Sequence, residues 1–171
     1  VDSLAVFVHK DNSIKGLSKT QVDSIFSSTF KAGGKDITKW GEVGVTGALA
    51  ARAMSLYGRN SASGTYGFFK EHALAKGDFK ATVKEQPGSS SVVQGIGSDL
   101  AGVGYSGIGY KTSEVRALPL AAKDGGTFVE ANYANCLSGD YPMARFLFVY
   151  INKKPGAAAD KLVQEFVKYI Q

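Results

Sequence analysis

The sequence is poor in the residues that would cross-link it or hold a metal ion. Cys136 is its single cysteine, so no disulfide bond can form within the chain. We interpret Cys136 as a small buried side chain rather than as a reactive thiol. The histidines His9 and His72 lie far apart, without partners at metal-ligand spacing. No Ser/His/Asp order is discernible. These absences argue against an enzyme, and no metal or cofactor is expected.

Long hydrophobic runs and blocks of one charge are also missing. No apolar run approaches the roughly 18 residues that a transmembrane helix needs. The 20 basic and 15 acidic residues form no block of five like charges, so a nucleic-acid partner is not expected, although the net charge of +5 favours the approach of small anions. The chain begins without methionine or a signal segment, and we interpret it as a mature product, a fragment or a clipped form.

What the chain does contain is an alternation of strand-like and helix-like segments. Its length fits one domain, and its 44% hydrophobic content suffices for a core. Residues 4–8 read as a strand, and Ser18 with Gln21 forms a capping box that starts a helix ending near Ser27. The pattern predicts an α/β fold with a mostly parallel sheet, and ligands are expected where strand ends run into helix starts.

Further elements follow from the same patterns. We predict strands at 53–57, 81–84, 102–110, 115–120 and 145–151, and helices at 64–76, 89–99 and near the C-terminus. Serines 89–91 are the expected cap of their helix, and Trp40 is an expected packing anchor. The run 145–151 is the most apolar of the chain and is predicted to be a central strand. The alternating glycines of 102–110 indicate either a strand that another backbone or a ligand approaches closely, or a glycine-rich turn.

One stretch, residues 59–65, carries the functional signal. It follows a strand and opens a helix, whose first N–H groups lack internal partners and carry partial positive charge. Arg59 offers a planar fork for an oxyanion, Ser63 and Thr65 offer hydroxyl groups, and Gly64 lets the main chain approach a ligand. The spacing is neither that of a Walker loop nor a dinucleotide fingerprint. The stretch predicts a site for a tetrahedral anion, with a plain helix cap beside a surface arginine as the equal alternative.

Residues 59–65, 102–110 and 141–150 resemble, in this order, the second half of the periplasmic phosphate-binding proteins that serve the phosphate ABC importer. Residues 4–8, 17–27 and 37–40 match the same family, so the resemblance covers nearly the whole chain. It implies a periplasmic or secreted protein that binds inorganic phosphate without catalysis and delivers it to membrane permease subunits. Arg59, Ser63, Gly64 and Thr65 stand where that family holds its ligand.

The resemblance also implies how the chain is organised. Residues 1–171 form one phosphate-binding-protein-like domain, in which about 9–140 are the second lobe and about 141–171 are a strand and helix returning to the first lobe. The N-terminal segment of the first lobe is absent and is expected from a missing segment or a partner chain. That segment would supply the carboxylate that accepts the proton of phosphate, since donors alone suit sulfate equally well.

The sequence departs from the family at Ser61, where an acidic residue often follows the arginine, so the orientation of Arg59 must be fixed in another way. Two other functions stay open. One is an extracellular phosphatase-like protein, because some relatives are reported to have that activity. The other is a surface interaction protein, for which only the tyrosines give a hint.

Overall fold

The fold is organised around one buried strand at the centre of a sheet. In the computed structural model, which describes residues 2–170, this strand is β1 (Asp2–His9). Its residues Leu4 to Val8 are at most 1% exposed. β1 pairs antiparallel with β5 (Gly102–Gly107) on one side and with β6 (Val115–Ala117) on the other. Such a continuous apolar run is typical of a strand covered on both faces.

The remaining strands extend this sheet in a shared direction. β3 (Ser55–Arg59) lies parallel to both β5 and β4 (Lys84–Gln86), which gives the order β4-β3-β5-β1-β6, and β8 (Ala144–Arg145) pairs antiparallel with the start of β1. Because β1 runs against each of its neighbours, the other described strands of this sheet all point the same way. β2 (Leu17–Ser18) and β7 (Leu120–Ala121) form a separate parallel pair. The predicted mixed sheet of an α/β fold is confirmed, with parallel pairing around β3 and antiparallel pairing around β1.

Helices cover both faces of the sheet. They are α1 (Lys19–Phe26), α2 (Gly64–His72), α3 (Ser89–Gly97), α4 (Tyr133–Ser138) and α5 (Lys161–Ile170), with 3-10 turns at Trp40–Val43, Gly47–Leu49 and Ile108–Tyr110. Alternate residues of β1 point to opposite faces, as the period of a strand requires. One set, with Leu4 and Val6, packs in the cluster that holds Phe26 of α1 and Phe69 of α2. The other set, with Phe7, packs against α3.

Local signals placed two of these features correctly. Gln21 N–H donates to Ser18 Oγ at 3.0 Å, and Ser18 N–H donates to Gln21 Oε1 at 2.9 Å, so the predicted capping box starts α1. Trp40 is fully buried, and its Nε1–H donates to Ala101 O at 3.1 Å. The predicted packing anchor is therefore confirmed, and it ties the irregular segment before β3 to the start of β5.

The glycines of β5 mark a close approach of another backbone. A Cβ built on Gly104 would lie 2.5 Å from Tyr57 O, and one built on Gly102 would lie 2.9 Å from Asp99 O. Only glycine fits these positions without a shift of neighbouring main chain. The predicted strand is thus present, but it ends at Gly107 and a 3-10 turn follows.

The predicted central strand at 145–151 is wrong. Only its first residue belongs to a strand, because β8 ends at Arg145, and residues 146–151 are exposed. β8 pairs Arg145 with Asp2 in an antiparallel register, so any residue after Arg145 would need a partner that precedes β1. The predicted C-terminal helix exists as α5, but none of its described residues is buried, and Tyr169 is 88% exposed.

Other element boundaries differ from the sequence-based expectations. The helix expected to reach Lys76 ends at His72, and it cannot extend to Lys76 because the chain takes left-handed φ angles of 47° at Ala75 and 62° at Lys76. The strand expected at 81–84 lies at Lys84–Gln86. The strand expected at 115–120 is divided between β6 and β7 around Pro119, whose nitrogen cannot donate a hydrogen bond.

The crowding at Gly104 yields a stability test. We expect Gly104→Ala to lower the free energy of unfolding by about 1–3 kcal/mol, because the new methyl group meets the main chain at Tyr57. The matched control is Gly67→Ala in α2, where a Cβ meets no atom within 4 Å. We expect this substitution to stabilise the protein by about 0.5–1 kcal/mol, because alanine favours a helix more than glycine does. Urea titrations measure both values. Equal effects of the two variants would contradict the close approach.

Candidate anion-binding site

Two helices begin at one edge of the sheet, just past the ends of neighbouring strands. The parallel register pairs Arg59, the last residue of β3, with Gln86, the last residue of β4. α2 and α3 start a few residues later, at Gly64 and Ser89. The positively polarised starts of both helices therefore gather at the carboxyl edge, where open α/β sheets place their ligands.

The turn between β3 and α2 is held by its own polar groups. Ser63 N–H donates to Asn60 O at 3.1 Å, and Ala62 N–H donates to Asn60 Oδ1 at 3.2 Å. Ser63 is the N-cap of α2, since its Oγ accepts a hydrogen bond from Thr65 N–H at 3.2 Å. A Cβ built on Gly64 meets no atom within 4 Å, so the start of α2 is open. The turn is thus a helix cap whose position at Gly64 is not covered by other groups.

A buried tyrosine supports the backbone of Arg59 from below. Arg59 N–H donates to Tyr105 Oη at 3.2 Å, and the Tyr105 ring stacks on Phe69 with a centroid distance of 3.9 Å. Burial raises the pKa of Tyr105, so its phenol stays protonated at neutral pH. A Cβ on Gly58 would lie 2.8 Å from this ring, and the glycine therefore lets the ring approach the end of β3.

The guanidinium of Arg59 has a neutral partner. Its Nη1 donates to Ser89 Oγ at 3.0 Å, while its Nε is buried and makes no hydrogen bond within residues 2–170. No carboxylate of these residues forms an ion pair with it. Ser89 is 9% exposed, and its carbonyl accepts a hydrogen bond from Ser106 Oγ at 3.2 Å. The positive charge of Arg59 thus lies at the carboxyl edge without a described carboxylate in ion-pair contact.

A cavity of about 320 Å³ lies beside Arg59. Its lining comprises Arg59, Tyr66, Asp78, Phe79, Lys80, Ala81, Val83 and Glu85. Lys80 is engaged there by Asp36 at 2.6 Å, and the two carboxylates of the lining disfavour an anion. None of Ser63, Gly64 and Thr65 lines this cavity, so we take the turn, rather than the cavity, as the candidate site.

The predicted site residues lie on or beside one turn. The structure adds Ser89, for which the sequence predicts another role. The side chain of Arg59 contacts Ser89 and makes no hydrogen bond to Ser63 or Thr65. Ser89 was expected only as a helix cap, whereas the N-cap of α3 is Gly88 and makes no side-chain cap. A signal existed: β4, a short turn and α3 repeat the order of β3, its turn and α2.

The histidines contribute no site. The His72 ring packs on Phe68 with a centroid distance of 4.1 Å, and His9 Nδ1 accepts a hydrogen bond from Asp11 N–H. Throughout the part of the chain that the structure describes, no group of His, Cys, Asp and Glu side chains is arranged to hold a metal ion. Within the same part, no helix has the length and apolar character needed to cross a bilayer.

The fold defines an α/β lobe whose helix starts gather at the carboxyl edge of its sheet. A family model described as a PBP superfamily domain matches residues 1–171, and the chain therefore belongs to that superfamily. The chain is 56% identical over 171 residues to the phosphate-binding protein PstS of Pseudomonas aeruginosa strain PAO1, covering 99% of this chain and 53% of that protein. It is 30% identical over 172 residues to the protein of the same name from Staphylococcus haemolyticus, covering 98% and 50%. It thus spans about half the length of these curated relatives.

Solved structures show the same fold at lower identity. PstS of Borrelia burgdorferi is similar with a TM-score of 0.70 and 19% identity, over 99% of this chain and 62% of that one. An ABC-type phosphate transport receptor from Vibrio cholerae is similar with a TM-score of 0.66 and 19% identity, over 99% and 63%. At these identities the likeness establishes the fold alone.

The support of Arg59 by Tyr105 can be tested by removing one hydroxyl group. We expect Tyr105→Phe to lower the free energy of unfolding by about 1–2 kcal/mol, because it removes the acceptor of Arg59 N–H inside the protein. Tyr110→Phe is the matched control, since Tyr110 is 51% exposed and should change stability by less than about 0.5 kcal/mol. Denaturant unfolding followed by circular dichroism measures both. A loss no larger for Tyr105→Phe than for the control would refute this role.

Proposed function

We propose that this chain is a phosphate-binding lobe of a solute-binding protein, which delivers inorganic phosphate to the membrane permease subunits of an ABC importer. The observation that carries the proposal is the guanidinium of Arg59, without an ion-pair partner in residues 2–170, at the sheet edge where α2 and α3 begin. The relatives are named as phosphate-binding proteins and a phosphate transport receptor, which supports phosphate as the ligand.

The chemistry of the proposed site suits a tetrahedral oxyanion. Arg59, Ser63, Gly64 and Thr65 would supply guanidinium, hydroxyl and main-chain donors from one turn. Donors alone bind sulfate as well as phosphate, because only phosphate carries a proton that needs an acceptor. We therefore propose that residues outside this chain supply the acceptor and the remaining contacts.

The division into lobes is part of the same proposal. Residues of about 9–140 would form the second lobe, and about 141–171 would return to a first lobe supplied by another segment or a partner chain. Two observations support it. The chain spans about half of its curated relatives, and the segment after β8 carries exposed large apolar side chains, with Phe148 at 75% and Tyr150 at 91%. Water-exposed apolar surface of this kind is covered in most stable proteins.

A binding role fits the site better than catalysis. The described turn presents a guanidinium, hydroxyl groups and main-chain N–H groups, and neither a base beside its hydroxyl groups nor a metal cluster accompanies it within residues 2–170. Delivery to an importer also implies a periplasmic or secreted protein, which we include in the proposal.

Phosphate titration calorimetry on the natural protein tests the site. We expect Arg59→Ala to weaken phosphate binding on the order of 100-fold, because it removes a charged, potentially bidentate donor. Arg52→Ala is the matched control, since Arg52 is exposed and forms no ion pair with the described residues, and it should bind within about twofold of the unmodified protein. Binding by Arg59→Ala as tight as by the control would refute the site.

A phosphomonoesterase assay distinguishes binding from catalysis. We expect no turnover by the natural protein above that of the Arg59→Ala variant, with or without added divalent metal, because the turn offers donors but no general base. Turnover that is lost with Arg59 would favour the phosphatase-like alternative.

A further inference from the structure

We infer that Ser89 is the residue that positions the Arg59 guanidinium for its anion, with a neutral hydroxyl in the place where an ion pair would otherwise hold the arginine. The inference rests on the proposed function, because it concerns how that site binds phosphate. It adds a positioning residue that lies on another helix, far from residues 59–65 in sequence.

The contact is built from three elements of the fold. Arg59 ends β3, Ser89 begins α3, and Nη1 donates to Oγ over 3.0 Å. Ser89 is itself held from β5, because Ser106 Oγ donates to Ser89 O at 3.2 Å and Ser106 is fully buried. The main chain that carries the hydroxyl is thus held in place, and Ser89 itself is only 9% exposed. One side of the guanidinium is anchored to a rigid part of the molecule.

A neutral hydrogen-bond acceptor and a carboxylate affect the charge of an arginine differently. Arg145 shows the other arrangement in this chain, since its Nη2 lies 2.8 Å from Asp2 Oδ2 and its charge is matched there. A carboxylate beside Arg59 would fix its orientation too, but it would repel an incoming anion and offset the positive charge. The Ser89 hydroxyl accepts one hydrogen bond and adds no charge. The anchor itself therefore does not offset the charge of Arg59.

The remaining donors of the guanidinium agree with this role. Its Nε is buried and makes no hydrogen bond within residues 2–170, which is costly for a charged group unless a ligand satisfies it. The five N–H donors of an arginine form a rigid planar fork. Fixing Nη1 on Ser89 therefore fixes the directions of the others.

Phosphate titrations of Ser89 variants in the natural protein test the inference. We expect Ser89→Ala to weaken phosphate binding about tenfold, because the guanidinium loses its fixed acceptor, while the thermal unfolding midpoint stays close to that of the unmodified protein. Ser89→Thr keeps the hydroxyl and should restore binding to within about threefold. Ser89→Asp should bind more weakly than Ser89→Ala, because it keeps an acceptor but adds negative charge. Ser90→Ala, an exposed neighbour in the same helical turn, should leave binding unchanged.

A double-mutant cycle separates positioning from a general effect on α3. In an Arg59→Lys background the planar fork is gone, so adding Ser89→Ala should cost less than about twofold. The same tenfold cost in both backgrounds would overturn the inference, as would unchanged binding by Ser89→Ala or tighter binding by Ser89→Asp than by Ser89→Ala. An unmodified protein that binds no phosphate would overturn the proposed function and, with it, this inference. If the unmodified protein binds phosphate and the Ser89 variants bind it equally well, the inference is overturned but the proposed function is not.

Discussion

The parallel pairing of β3 with β4 is the constraint on which the candidate site depends. In their register, the last residue of β3, Arg59, lies opposite the last residue of β4, Gln86, so both strands end at the same edge of the sheet. Because each strand then runs into a helix, the starts of α2 and α3 meet at one edge, and their unpaired N–H groups and dipoles point the same way. Tyr105 links this edge to the hydrophobic core by stacking on Phe69 and accepting the N–H of Arg59.

Positively charged side chains of this chain are held either by carboxylates or by neutral groups. Lys70 pairs with Asp78 at 2.8 Å, and Arg145 pairs with Asp2 and lies 5.3 Å from the centre of the Phe68 ring. These contacts use positive charge to join elements of this chain. Arg59, by contrast, donates its main-chain N–H to a phenol and its Nη1 to a hydroxyl, and no described carboxylate forms an ion pair with it. Its position at the carboxyl edge supports the proposed binding of phosphate.

Expectations from the sequence succeeded where the signal was local. The capping box of α1 needs only Ser18 and Gln21, and the burial of Trp40 follows from a large aromatic ring in an otherwise polar segment. The strand at 145–151 failed because its composition is apolar but a strand also needs a partner, and the register of β8 leaves none within β1. The apolar residues of this segment and of α5 are exposed, so a hydrophobic sequence pattern did not by itself predict burial.

The sequence by itself determined the order of strand, polar turn and helix at residues 53–72, and with it Arg59 as a candidate anion ligand, because capping and helix polarity act over a few residues. Only the tertiary structure decided that the hydroxyl of Ser89, thirty positions further along, accepts a hydrogen bond from the Arg59 guanidinium. The physical reason is that parallel strands are joined by long crossovers. Which strand ends become neighbours therefore depends on how the whole sheet packs, and no local pattern encodes it.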